Sequence, residues 1–258
     1  MNRQAAELWS DALGVAARVV RYGHWGRPFL VFPAEPGWAC EFEDNGMVGA
    51  LAGLIETGRI KLYCVDGYNA ASWSNRDIPL EDRARNHGRY ESWILDEVLP
   101  WIYRDCGGPL EVATLGCSMG AFHAANFALK RADLFPLAMC FSGNYDPSGW
   151  HAWGERGTAA YFNNPVDYTG HLAGDHLDWL RPGQPAAGVR PGPVGGHHRR
   201  PVQYETVRRP AGQQGHAVRA RSVGHRRAAR LAVLARPGSP SHAAVLLTNG
   251  SADERSLP

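Results

Sequence analysis

Glu111-Val112-Ala113-Thr114-Leu115-Gly116-Cys117-Ser118-Met119-Gly120-Ala121-Phe122 joins an apolar run to a five-residue turn and then to a second apolar run. Residues 111–115 have the length and composition of a buried strand, and 119–130 read as a helix. The turn between them has the form G-x-S-x-G. Glycine at 116 and 120 lets the backbone reverse sharply and lets strand and helix approach closely, so Ser118 stands at the tip of the strand. The helix start offers N–H groups without intrahelical partners. Ser118 is therefore a candidate nucleophile, and Met119 N–H a candidate donor to a developing oxyanion. Cys117, beside the tip, is expected to turn into the packing as a small buried filler.

The same alternation of strand and helix extends on both sides. Residues 14–22 read as a strand followed by a turn with two glycines, Gly23 and Gly26, and Pro28 to Phe32 as a short buried strand. Asn45 to Glu56 places Met47, Leu51, Leu54 and Ile55 at helical spacing before Gly58, and Ile60 to Val65 is again a strand. Between Pro79 and Asp105, apolar residues from Trp93 to Ile102 recur at helical period, which predicts one long amphipathic helix bent at Pro100. Pro136 to Phe141 predicts the next strand. Such an order argues an α/β fold, a mostly parallel sheet with helices on both faces.

A serine hydroxyl is a weak nucleophile at neutral pH and needs an imidazole base, itself oriented by a carboxylate. It also needs a second oxyanion donor from the loop after an earlier strand. Phe32 to Trp38 occupies that place, with Ala34 or Glu35 as the donor. Asp146, after the strand ending at Phe141, is a candidate acid, although Asn-Tyr-Asp-Pro is also ordinary turn chemistry and the turn is preferred. Trp150, Trp153, Tyr161 and Phe162 fit either an acyl-pocket wall or a lid over the sheet edge. Arg76 suits a carboxylate or phosphate on a substrate, or equally an ion pair with Asp77 or Glu81. His171 and His176 with Asp175 and Asp178 are better read as a solvated helix face than as a metal site.

Gly116-Cys117-Ser118-Met119-Gly120-Ala121 with its helix, Phe141-Ser142-Gly143, Tyr145-Asp146 and Asn163-Asn164-Pro165 resemble the esterase D or antigen 85 type branch of the α/β-hydrolases. The resemblance covers about residues 14 to 181. It implies an α/β-hydrolase fold and cofactor-free hydrolysis or transfer of acyl groups from a small ester or thioester. Serine, a carboxylate and a late histidine act in that order in the family, and no metal takes part.

The charge of +2 averages two unlike segments. Up to Arg181 there are 15 basic and 22 acidic residues, and from Pro182 onward 12 and 3. The last 77 residues hold one aromatic, Tyr204, and Gly, Ala, Pro and Arg fill 43 positions, a composition unable to bury enough apolar surface to fold. We therefore expect one incomplete α/β-hydrolase domain over 1–181 and a basic, low-complexity, disordered tail over 182–258. Histidines 197, 198, 216, 225 and 242 follow no recognisable strand. A change of reading frame accounts for this: shifted codons across Gln184 to Arg190 permit S-L-L-L-V-C-G, a strand with a turn glycine. Those across Gly215 to Arg236 permit a late histidine in a polar loop. On that reading the chain lacks its acid and histidine, and its activity is impaired. The alternatives are a catalytically silent binding protein of the same fold, or a tail whose arginine pairs bind nucleic acid; the absence of Lys and of an aromatic series argues against the second. The five cysteines, at 40, 64, 106, 117 and 140, have no C-x-x-C spacing and read as reduced thiols. With no signal-type apolar segment and no run of 18 apolar residues, the expected location is cytoplasmic, away from the membrane.

Overall fold

The computed structural model describes residues 1–174. Six strands form one sheet: β1 (Arg3–Ser10), β2 (Val15–Tyr22), β3 (Arg27–Phe32), β4 (Ile60–Val65), β5 (Ala113–Cys117) and β6 (Leu137–Phe141), in the order β1-β2-β4-β3-β5-β6. β3 to β6 are mutually parallel, whereas β1 and β2 form an antiparallel hairpin and β2 runs antiparallel to β4. The sheet is thus mixed.

Period-two alternation sends neighbouring residues to opposite faces. Val19, Leu30, Phe32, Tyr63 and Val65 meet one set of helices, while Val20, Phe29, Val31, Leu62 and Cys64 meet the other. On the first face lie α4 (Leu80–Trp93), α5 (Leu99–Cys106) and α6 (Met119–Lys130), through Tyr90, Trp93, Ile102 and Phe127. On the second lie short helices α1 (Glu41–Asp44), α2 (Met47–Ala50) and α3 (Ala52–Glu56), through Val48 and Ile55. Two further short helices, α7 (Thr158–Phe162) and α8 (Pro165–Tyr168), follow β6.

Four sequence expectations need correction. β1 was not anticipated, because an edge strand with most side chains in solvent carries little apolar signal. The helix expected over Asn45 to Glu56 is two short ones, interrupted at Leu51, with Gly49 and Gly53 weakening the segment. The long helix over Pro79 to Asp105 is broken not at Pro100 but one turn earlier, by a π-turn over Ile94–Val98. Proline cannot donate to the carbonyl four residues before it, and the widened turn takes up that mismatch. Finally, β5 runs to Cys117, whose side chain is exposed rather than buried. The expected strand ends and helix over Ile60 to Val65 and Met119 to Lys130 stand as read. Residues 182–258, with the tail histidines and the frame-shifted segments, lie outside the described residues, as do Asp175, His176 and Asp178.

Candidate active site

The sharp turn between β5 and α6 is built by close approach. A Cβ on Gly116 would stand 2.2 Å from the Gly120 carbonyl, and one on Gly120 would stand 2.3 Å from the Phe32 carbonyl oxygen at the end of β3. Only hydrogen fits at both positions. Ser118 has φ 54 and ψ −116, a conformation costly for any residue with a Cβ. It is held there by Ser118 N–H donating to Phe141 O at 2.9 Å and by its own carbonyl accepting from Ala121 and Phe122 N–H, at 3.1 and 3.3 Å.

A cleft of about 300 Å³ opens where β3 to β6 end, the side of an open parallel sheet where ligands bind. Each following loop contributes: Glu35 after β3; Trp73, Ser74 and Arg76 after β4; Ser118 and Met119 after β5; Ser142 and Asn144 after β6, with Trp150 and His151 further along. Among the described residues, three other than glycine have positive φ: Ser118 at 54, Ser142 at 53 and His151 at 52. All three line this cleft. Backbone strain of this kind is retained where the surroundings over-determine it, characteristically at functional sites.

The structure separates the two oxyanion candidates in the β3 loop. Ala34 N–H donates to Glu41 Oε2 at 2.6 Å, so the amide is already committed to a charged acceptor and Ala34 is not an available donor. Glu35 lines the cleft, and neither its N–H nor that of Met119 has a hydrogen-bond partner among the described residues. Glu41 holds this loop from α1, and burial pushes its carboxyl above the usual range.

Asp146 does not line the cleft. Its carboxylate caps a short turn, accepting from Ser148 N–H at 3.1 Å, from the Ser148 hydroxyl, and from Asn164 Nδ2 at 2.9 Å. The last bond joins two of the motifs that carry the family resemblance, and it is a brace behind the site. Arg76 pairs with neither suggested partner: Glu81 accepts from Ala159 and Ala160 N–H at the start of α7 and pairs with Arg85. Of the aromatic insertion, Trp150 reaches the cleft and packs edge-on against Trp73 and Phe122, at 5.9 and 4.9 Å. Tyr161 and Phe162 pack on each other away from it, at 4.9 Å.

His151 was not singled out from the sequence, since a histidine beside tryptophans in a loop carries no periodic signal. It is one of two basic side chains on the cleft wall. His87 and His123 are buried, stacked at 5.2 Å, and bonded to Asn126 and Asn69. His171 meets the Tyr161 hydroxyl at 2.9 Å. Among the described residues no imidazole is hydrogen-bonded to Ser118.

A model of the family described as "Putative esterase" matches residues 40–255. The chain belongs to this esterase family. Membership places it among the ester hydrolases, and the matched range runs beyond residue 181, the end of the sequence resemblance. No curated protein shows significant sequence similarity to this esterase. Solved structures similar to it include a ferulic acid esterase, 17% identical over 69% of this chain and 75% of the other, with a TM-score of 0.49. MPT51 (FbpC1) of Mycobacterium tuberculosis is 19% identical over 58% and 54%, TM-score 0.44. The S-formylglutathione hydrolase FrmB of Staphylococcus aureus is 14% identical over 64% and 69%, TM-score 0.45. Among the described residues no helix of this esterase is long and apolar enough to cross a membrane.

Proposed function

We propose that the protein is a serine esterase that cleaves a small carboxylic ester or thioester through an acyl-enzyme. The observation that carries this reading is the strained Ser118 at the floor of a cleft whose other strained residues, Ser142 and His151, face the same space. Ser118 Oγ attacks the acyl carbon; the carbonyl oxygen becomes an oxyanion and is met by Met119 N–H and Glu35 N–H. The alcohol or thiol leaves with a proton, and water or another acceptor then releases the acyl group. Met119 sits at the first turn of a twelve-residue helix, where the peptide dipoles add to its own hydrogen bond.

The base is the weak point. With no imidazole bonded to Ser118 among the described residues, and no tail histidine after a recognisable strand, we infer a catalytically impaired chain. Loss of the base costs on the order of 10⁶ in turnover in a serine hydrolase and leaves about 10³ to 10⁴ over the uncatalysed rate. The same residues fit a silent binding protein of this fold. A chromogenic short-chain ester and a fluorophosphonate label decide between them. We expect slow release of nitrophenol and labelling at Ser118, both abolished in Ser118→Ala. A folded protein with neither, or with turnover unaffected by Ser118→Ala, rejects the esterase reading. We also propose that the segment from 182 on arises from a shifted frame. Sequencing across the codons for Leu180 to Gln184 tests it: a restored frame is expected to raise turnover at least a thousandfold, and an intact frame with high activity rejects it.

A further inference from the structure

Arg83 is a buried guanidinium, 1% exposed, in α4. It has no acidic partner within ion-pair distance among the described residues. Instead its Nε donates to Ile78 O at 3.0 Å, Nη1 to Trp150 O at 3.0 Å and Nη2 to His151 O at 3.3 Å. One side chain thus staples the loop after β4 to the loop after β6. Two more bonds close the same seam: Trp153 Nε1 donates to Arg76 O at 2.9 Å, and Leu80 N–H to Trp153 O at 2.9 Å. The result is a single wall of the cleft presenting Arg76 and His151.

The wall is electrostatically one-sided. Arg76 makes no ion pair with a described residue, and it lies near enough to Arg83 that, after burial, its charge is a second cause of the lowered Arg83 pKa. Two permanent positive charges therefore stand together without a bonded carboxylate. The one acidic side chain on the cleft is Glu35, exposed, on the loop after β3 and unpaired with either arginine. A cleft with this balance favours a negatively charged group on the bound molecule.

Resting on the esterase reading above, we propose that Arg76 selects substrates carrying a carboxylate, in addition to the ester, by a charge-assisted hydrogen bond. Arg83 is a positioning residue for that wall, because it fixes the backbone on both sides of the seam.

The test compares mono-p-nitrophenyl glutarate with p-nitrophenyl valerate, esters of equal acyl chain length that differ in the terminal carboxylate. We expect kcat/KM to favour the glutarate at least tenfold, mainly through KM, with the preference shrinking as salt rises. Arg76→Gln is expected to lower this ratio about tenfold and Arg76→Lys by less, while Arg59→Gln, an exposed charge elsewhere, leaves the ratio as it was. An equal ratio in wild type and Arg76→Gln overturns the proposal. A second measurement needs no turnover: the thermal shift given by free glutarate against neutral glutaramide. An Arg76-dependent shift without hydrolysis of either ester supports the anion site and rejects the esterase reading instead; a shift that is absent, or unchanged by Arg76→Gln, rejects the anion site.

Discussion

At Ser118 the demands of chemistry and of stability point in opposite directions. A φ of 54 with ψ −116 places the hydroxyl at the strand tip, yet a Cβ in that region costs of order 1 to 3 kcal/mol. Glycine escapes most of that cost, though it loses more backbone entropy on folding. Ser118→Gly is therefore expected to raise unfolding free energy by about 1 kcal/mol while abolishing ester cleavage, and Ser118→Ala, which keeps the Cβ, to abolish cleavage without the gain. Urea unfolding of the two variants side by side measures the strain separately from loss of the hydroxyl. Equal stabilities would mean that the turn stores no strain. This residue was readable from sequence because the two flanking glycines are required by backbone distances of 2.2 and 2.3 Å, a constraint written in residue type alone. The choice between Ala34 and Glu35 was not readable, since the two differ only in where their amides go, and the carboxylate that occupies the Ala34 N–H comes from α1.

Arg83 acts at the level of elements, joining α4 to the loops after β4 and β6. Three part-buried carbonyls accept from it, and a carbonyl left without a partner costs up to about 1 to 3 kcal/mol where water does not reach it. Arg83→Met, which keeps an unbranched apolar stem and removes the donors, is expected to lose about 3 kcal/mol of stability and to loosen the wall bearing Arg76 and His151. Urea unfolding measures the first, and a raised KM for the anionic ester the second; a loss under 1 kcal/mol would show that the seam holds without its guanidinium. Nothing in the sequence marks Arg83, because it sits among other charged residues on an amphipathic helix and two of its three acceptors are backbone atoms 67 and 68 residues away. The elements themselves were legible where both faces are buried, as in β4 and α6, whose limits stand as read. They were illegible where one face meets solvent, as in β1, or where a backbone irregularity is displaced from its cause, as in the π-turn before Pro100.

For the whole molecule, folding depends on two imidazoles kept neutral in the layer between the sheet and α4. His87 and His123 are buried, with ring centroids 5.2 Å apart, and burial holds His87 well below its ordinary value and brings His123 down to about 3. His123 and Lys130 add repulsion against a proton on His87. The Nδ1 atoms of both have no hydrogen-bond partner among the described residues, so the second N–H that protonation would create finds no acceptor at that atom. Below the unfolded value of 6.5, the unfolded chain takes up a proton at each site that the native chain refuses; stability is full above about pH 6.5 and falls as pH drops toward 3. While the native imidazole stays neutral, each site lowers stability by up to about 1.4 kcal/mol per pH unit below 6.5. Glu41 and Glu97, whose values burial raises, act in the opposite sense, but both are partly exposed and solvent weakens their share. Urea midpoints measured from pH 8 to pH 5 are expected to stay level down to about 6.5 and then decline with no change in the urea dependence. A level profile down to pH 5 would mean that these imidazoles are protonated in the folded state, and that the layer they share with Phe122 and Tyr90 is wet.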